Sequence, residues 1–273
     1  MLYTKTINGQ QLSFIDYGIP SERPAIVVFS GWCQDHRGWE ELLPYLIYEY
    51  RVVCLNWRGH GPNRDRVEDF GVEEQVKDYL ALLEELEVGK FVAISHSHGG
   101  WAAMQVAQTL GKERVPAVLL LDLIMTEAPP EFVNTLKAIQ NKETWRAALF
   151  GLIAAWEANT SNHKWRESRI KNAGGHGFDM WARGCREVER AYATWGSPMK
   201  RMEAMPDPPL LRHVFSHPKQ PGYVELHEQF QGKHAEWFSF VKLSGETHFP
   251  AIELPESVSM TLKDLVGRVS AQE

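Results

Sequence analysis

Residues 91–110, FVAISHSHGGWAAMQVAQTL, restrict the possible folds more than any other stretch. The short apolar run Phe91 to Ile94 reads as a buried strand. It meets Ser95-His96-Ser97-His98-Gly99 with no length for a loop. His98 to Leu110 then carries a helical pattern, closed by Gly111. A strand that turns at once into a helix is the opening half of a strand–helix–strand crossover, the unit that builds parallel sheets.

The rest of the chain fits that unit on both sides. Asn8-Gly9 between Tyr3–Ile7 and Leu12–Tyr17 predicts a hairpin. Strands are expected at Ala25–Phe29, Arg51–Leu55 and Ala117–Leu121, and helices at Gly38–Tyr48 and Val72–Leu86. After about residue 126 the alternation stops. Up to Ala204 the sequence is mostly helical, with glycines at 174, 175 and 177 and with Trp145, Trp156, Trp165, Trp181 and Trp195. A cluster of tryptophans in one segment leaves room for an aromatic pocket wall. Strands resume at Leu210–Phe215 and Phe238–Leu243, before a closing helix at Pro255–Val269. The expected division is a core of residues 1–125 and 205–273 and a helical cap of residues 126–204.

Composition excludes several classes. A formal net charge of -6 with no Lys/Arg run argues against a nucleic-acid footprint. No apolar run reaches membrane-spanning length, and the first residues lack the basic-then-apolar order of a signal peptide. The three cysteines, Cys33, Cys54 and Cys185, form no framework, so a reducing, cytoplasmic setting is expected. Oligomeric state is left open.

Ser95-His96-Ser97-His98-Gly99 has the form S-x-S-x-G, close to the G-x-S-x-G elbow that displays a nucleophile between a strand and a helix. Ser97 is the exposed hydroxyl, and the helix start offers backbone N–H groups to an anion. After the strand Ala25–Phe29 comes Ser30-Gly31-Trp32, so the N–H groups of Trp32 and His98 are the candidate oxyanion donors. His96 and His98 also admit a reading as an H-x-H metal pair, but no third ligand stands at a familiar spacing, and no metal is expected. Asn56-Trp57-Arg58-Gly59-His60-Gly61 reads as a structural turn. His248, in Gly245-Glu246-Thr247-His248-Phe249-Pro250, lies between the last strand and the last helix. Its orienting acid is expected to be Asp122, at the end of AVLLLD, because the loop after LLRHVF holds no carboxylate before Glu225, which is the fallback.

With GWCQDHR at 31–37, SHSHGGW at 95–101, Asp122, RHVFSHP at 212–218 and THFPAIELP at 247–255, the chain resembles the cofactor-free 3-hydroxy-4(1H)-quinolone 2,4-dioxygenases, a branch of the α/β-hydrolase superfamily. The resemblance covers nearly the whole chain. One departure is Gln34, where relatives can carry histidine. It implies an α/β-hydrolase fold, with a mostly parallel sheet of about eight strands, helices on both faces and an inserted cap. It implies no cofactor, and a 2-alkyl-3-hydroxy-4(1H)-quinolone cleaved by O2 to an N-acylanthranilate and carbon monoxide. His248 would be the base, Asp122 its partner, and Ser97 a positioning hydroxyl. Gln34, His36, His96 and Trp156 would join Trp32 and His98 around the substrate. Two other readings stay open: a serine hydrolase using Ser97, His248 and Asp122, and a ligand-binding protein on the same scaffold.

Overall fold

The computed structural model describes residues 1–18, 21–62, 67–157, 160, 167 and 175–271; Trp165 and Gly174 lie outside the described residues. Eight strands form one sheet: β1 (Leu2–Ile7), β2 (Gln10–Tyr17), β3 (Ala25–Phe29), β4 (Val52–Leu55), β5 (Phe91–His96), β6 (Ala117–Leu121), β7 (Leu210–Phe215) and β8 (Phe238–Lys242). Their order is β1-β2-β4-β3-β5-β6-β7-β8. The hairpin β1–β2 and the pair β2–β4 are antiparallel, and every later pairing is parallel. The family-implied fold is therefore the observed one.

Every residue of β3, β4, β5, β6 and β7 is buried, as a parallel sheet covered on both faces requires. Alternation along each strand feeds two cores. Val27, Phe29, Phe91, Ala93, Val118 and Leu120 meet α1 (Val72–Glu85) and α2 (Gly99–Arg114) on one face. Ile26, Val28, Val92, Ile94, Leu119 and Leu121 meet the closing helix, α9 (Pro255–Ser270), on the other, through Val258, Leu262, Leu265 and Val269.

Between β6 and β7 the chain carries α3 (Pro130–Ile139), α4 (Trp145–Glu157), α5 (Phe178–Trp195) and α6 (Pro198–Glu203), with no strand among the described residues. Helix α7 (Tyr223–Lys233) joins β7 to β8, and the short α8 (Pro250–Glu253) precedes α9.

Two expectations need correction. The helix expected over Gly38–Tyr48 is instead two 3-10 turns, His36–Trp39 and Leu43–Tyr45. Pro44 has no N–H to donate into an α-helical ladder, and the bonds that close the two turns include Leu42 N–H to Trp39 and Leu46 N–H to Leu43, both at 2.9 Å. Trp39, Leu42, Leu43 and Leu46 are still buried. Helix α7 was not anticipated. Two parallel strands need a crossover, and Tyr223, His227 and Phe230, the buried residues of this one, recur at helical spacing.

Candidate active site

The turn after β5 is tight for a reason visible in its contacts. Ser97 has φ +50°, a left-handed conformation that is costly for a residue with a side chain. Its N–H donates to the Leu121 carbonyl at 2.8 Å, which ties the turn to the end of β6. A Cβ on Gly99 would lie 2.4 Å from the Phe29 carbonyl oxygen and 2.6 Å from that of Ser30. Only glycine lets the start of α2 sit so close to the end of β3. Ser95, standing where the usual motif has its first glycine, is fully buried and fits because it is small.

Ser97, His98, Trp32, Gln34, Asp122, Trp156 and His248 all line one cavity. Much of the remaining wall is apolar, with Leu123, Ile124, Phe132, Leu136, Leu152 and Val188 among its residues. A larger, open cavity of ≈ 1130 Å³ lies against Gly59, His176, Phe178 and Arg186. It touches neither Ser97, Asp122 nor His248, so the smaller one is the candidate site.

Asp122 is fully enclosed, at 1% exposure. Its Oδ1 accepts the N–H groups of Ser216 at 2.6 Å and His217 at 3.2 Å. Its Oδ2 stands 3.5 Å from His248 Nδ1. The carboxylate thus enters the turn after β7 from the neighbouring strand, and Glu225 sits on α7 in its first turn, away from the cavity lining. Burial pushes Asp122 upward, toward its neutral form, against the pull of the two backbone donors. Burial also holds His248 below the ordinary histidine range, with His217 adding to the effect. The imidazole is therefore neutral and able to accept a proton.

His248 is held from three sides. Its N–H donates to the Trp156 carbonyl at 3.0 Å, and its ring stacks on the Trp156 indole with centroids 5.0 Å apart. Its carbonyl accepts from His96 Nε2 at 2.6 Å. Glu253 accepts from the Glu246 and Thr247 N–H groups at 2.6 and 2.8 Å, which fixes the loop just before it. Ser97 is half-buried, and among the described residues no hydrogen bond joins its hydroxyl to His248.

Trp32 is clamped through its side chain. Its Nε1–H donates to the Met180 carbonyl of α5 at 2.7 Å, and the ring stacks on Phe70 with centroids 5.4 Å apart. A Cβ on Gly184 would fall 2.0 Å from the indole, so α5 comes up against this ring only because that position is glycine. The backbone N–H groups of Trp32 and His98 donate to no partner among the described residues. His98 is buried edge-on to Trp32, and burial pulls it down to about 3.

Two sequence-selected residues serve the site from behind it. His96 does not line the cavity: its Nδ1 lies 2.7 Å from Gln34 Oε1 and its Nε2 meets the His248 carbonyl. His36 does not line the cavity either, and its ring faces Asn56 Oδ1 at 3.1 Å. Asn56 also accepts the His36 N–H at 2.8 Å and donates to Ser13 Oγ at 2.9 Å, which makes this turn a structural one. The ring nitrogens of His98 are buried without a partner, but both nitrogens of His96 face carbonyl oxygens, so the H-x-H pair does not present two ligand atoms together. Among the described residues, the group with metal-ligand spacing is Cys33, His60 and His176. There His60 Nε2 already accepts the Cys33 N–H at 3.0 Å and Nδ1 faces the Arg58 carbonyl at 2.9 Å, so the ring has little to offer an ion.

Of the α5 face, sequence reasoning marked only Trp181, as part of a possible aromatic wall. Trp181, Gly184, Cys185, Val188 and Tyr192 line the cavity and recur at helical spacing. Sequence reasoning passed over His217, whose Nδ1 lies 3.9 Å from Asp122 Oδ2.

Residues 26–259 match the model of the alpha/beta hydrolase family. The 2-heptyl-3-hydroxy-4(1H)-quinolone dioxygenase of Mycobacteroides abscessus is 51% identical over 98% of this chain and 98% of its own. The 1H-3-hydroxy-4-oxoquinoline 2,4-dioxygenase of Pseudomonas putida is 33% identical over 95% of this chain and 97% of its own. Among solved structures, an AqdC variant in complex with its substrate, the Pseudomonas quinolone signal, superposes with a TM-score of 0.95 at 50% identity, covering 98% of this chain and 99% of that one.

Proposed function

The chain belongs to the alpha/beta hydrolase family and, within it, to the 3-hydroxy-4-quinolone 2,4-dioxygenases, and from that premise we propose how its residues act. It is a ring-cleaving dioxygenase that converts a 2-alkyl-3-hydroxy-4(1H)-quinolone and O2 into an N-acylanthranilate and carbon monoxide. Two ring carbon–carbon bonds break, C3 leaves as carbon monoxide, and the two atoms of O2 end on the carbons that flanked it.

The observation that carries the reading is one largely apolar cavity in which a neutral imidazole, a hydroxyl and two unpartnered N–H groups face the same space. His248 takes the 3-hydroxyl proton, as a buried neutral histidine can. Asp122 then stabilises the imidazolium and fixes its ring orientation. Charge on the substrate anion spreads to the oxygen at C4, which the N–H groups of Trp32 and His98 are placed to hold. Preorganised donors of this kind contribute about 3–4 kcal/mol. Ser97 donates to or accepts from the substrate hydroxyl and orients it. The electron-rich anion reacts with O2 directly, without a metal or organic cofactor. Trp156, stacked on His248, keeps water from the base, and Phe132, Leu136, Leu152 and Val188 offer the 2-alkyl chain an apolar wall.

The helices described between residues 126 and 204 act as the cap over this site. None of the helices described is long and apolar enough to cross a membrane. Three buried free cysteines suit a reducing compartment, and we place the enzyme in the cytoplasm. The test is turnover of 2-heptyl-3-hydroxy-4-quinolone by enzyme dialysed against a chelator. One O2 consumed and one carbon monoxide released per substrate is the expected result. Turnover that starts only when a metal ion or flavin is added overturns the reading.

A further inference from the structure

The Asp122 carboxylate faces two imidazoles. Its Oδ1 is fully used by the Ser216 and His217 N–H groups. Its Oδ2 is buried and makes no hydrogen bond, with His248 Nδ1 at 3.5 Å and His217 Nδ1 at 3.9 Å. The His217 Nδ1 is itself buried without a partner, although 17% of that side chain is exposed. Both separations exceed the roughly 2.7–3.2 Å of a formed hydrogen bond. One acceptor oxygen therefore sits between two donors and is bonded to neither.

The other titratable groups packed around Asp122 are already committed. His96, on β5, spends its nitrogens on Gln34 and the His248 carbonyl. Tyr223, on α7, donates to the Leu123 carbonyl and accepts the Met125 N–H. The contest for Oδ2 is thus between the histidine of the β7 turn and the histidine that precedes α8.

We propose that His217 is a positioning residue that competes with His248 for Asp122 Oδ2 and so sets how firmly His248 holds a proton. This rests on the reading of His248 as the base. With Oδ2 drawn toward His217, the His248 imidazolium loses part of its counter-charge and the neutral, proton-accepting ring is favoured. When His248 takes the substrate proton, its charge draws Oδ2 back. The same carboxylate then serves a weak hold before the reaction and a strong one during it, with a movement of less than about 1 Å.

The test compares His217→Leu, which removes the donor, with His217→Gln, which keeps a neutral N–H donor. The readout is the pH dependence of kcat/KM for 2-heptyl-3-hydroxy-4-quinolone. The acid limb of His217→Leu is expected to move to higher pH by about half a unit or more, as His248 holds its proton more tightly. His217→Gln is expected to restore most of the wild-type limb. Coincident limbs in all three proteins, or equal displacement in both variants, overturn the proposal. Should His217→Leu fold poorly, ring 15N NMR of the unaltered enzyme under anaerobic conditions reads the same competition. Substrate addition should then weaken hydrogen bonding at His217 Nδ1 as it strengthens at His248 Nδ1, and an unchanged His217 signal contradicts the idea. Loss of all turnover in His248→Ala with no effect at His217 would defeat this inference alone; intact turnover in His248→Ala would defeat the reading beneath it.

Discussion

Asp122, carried at the end of β6, accepts the backbone N–H of Ser216 at 2.6 Å, so an acid from one strand is plugged into the turn that follows the next strand. The turn after β7 supplies donors, and the carboxylate comes from its neighbour. Asp122 has φ +44°, the left-handed backbone that such a reach demands of it. The site therefore keeps an acid beside His248 although its own loop offers Ser216-His217-Pro218 and no carboxylate.

This arrangement costs stability. Burial raises Asp122 above its unfolded value, so the folded state binds that proton more tightly than the unfolded chain. The associated stability is present at low pH and is lost as pH rises through the folded pKa. Asp122→Asn should accordingly be more stable than the parent at pH 8, by roughly 1–3 kcal/mol, while kcat falls about 10²–10⁴-fold. Urea unfolding and steady-state kinetics on one preparation check both halves. An amide variant that is less stable at pH 8 would show that the carboxylate is well solvated or fully paired.

Ser97 and His248 should separate in their effects. His248→Ala removes the base and should lower kcat/KM about 10²–10⁴-fold. Ser97→Ala removes one hydrogen bond to a charged group, worth about 1.5–3 kcal/mol, so about 10- to 100-fold is expected, with turnover still measurable. A fluorophosphonate should not label Ser97. Complete loss of turnover in Ser97→Ala together with labelling would indicate an acyl-enzyme and a hydrolase.

Acid should destabilise the fold through its histidines. His96 and His98 are each pulled to about 3 by burial, while an unfolded chain binds these protons near pH 6.5. Below that value the unfolded state takes up more protons, so stability is complete above it and falls as pH drops. Each histidine contributes about 1.4 kcal/mol per pH unit of that fall. Calorimetry from pH 7 to 5 should show a declining Tm, with a shallower decline in His98→Phe. A Tm that is flat over this range would mean that these rings are hydrated in solution.

The elbow was the most legible part of the molecule, because its constraint is local. Gly99 could be read as indispensable from the motif alone, and the Phe29 and Ser30 carbonyls show what it avoids. β7 was bounded correctly as LLRHVF because its apolar ends, Leu210-Leu211 and Val214-Phe215, are flanked by proline and serine, although Arg212 and His213 interrupt the run. Asp122 could be chosen because strand ends at one sheet edge converge, whatever lies between them in sequence. The bond of His36 to Asn56 was not legible, because its partner lies twenty residues away and nothing local signals it. His217 was overlooked for a similar reason: its relation to Asp122 exists only once β6 and β7 are paired, as they are through Leu121 and Val214.

Gly99→Ala offers a structural check on the elbow. The added Cβ would meet backbone oxygens, which cannot swing aside as a side chain can. A loss of about 3 kcal/mol or more in unfolding free energy is expected, or failure to accumulate as folded protein. Near-normal stability would mean that β3 and α2 are further apart than described.

The central claim is that His248 makes the substrate reactive by taking its proton before oxygen is involved. The direct measurement is anaerobic mixing of the enzyme with 2-heptyl-3-hydroxy-4-quinolone, watched by absorbance and followed by admission of air. The account requires the spectrum of the substrate anion to form at once in the parent and not in His248→Ala, with carbon monoxide released only after air enters. An anion that forms equally well without His248, or carbon monoxide that appears before any oxygen is admitted, would contradict it.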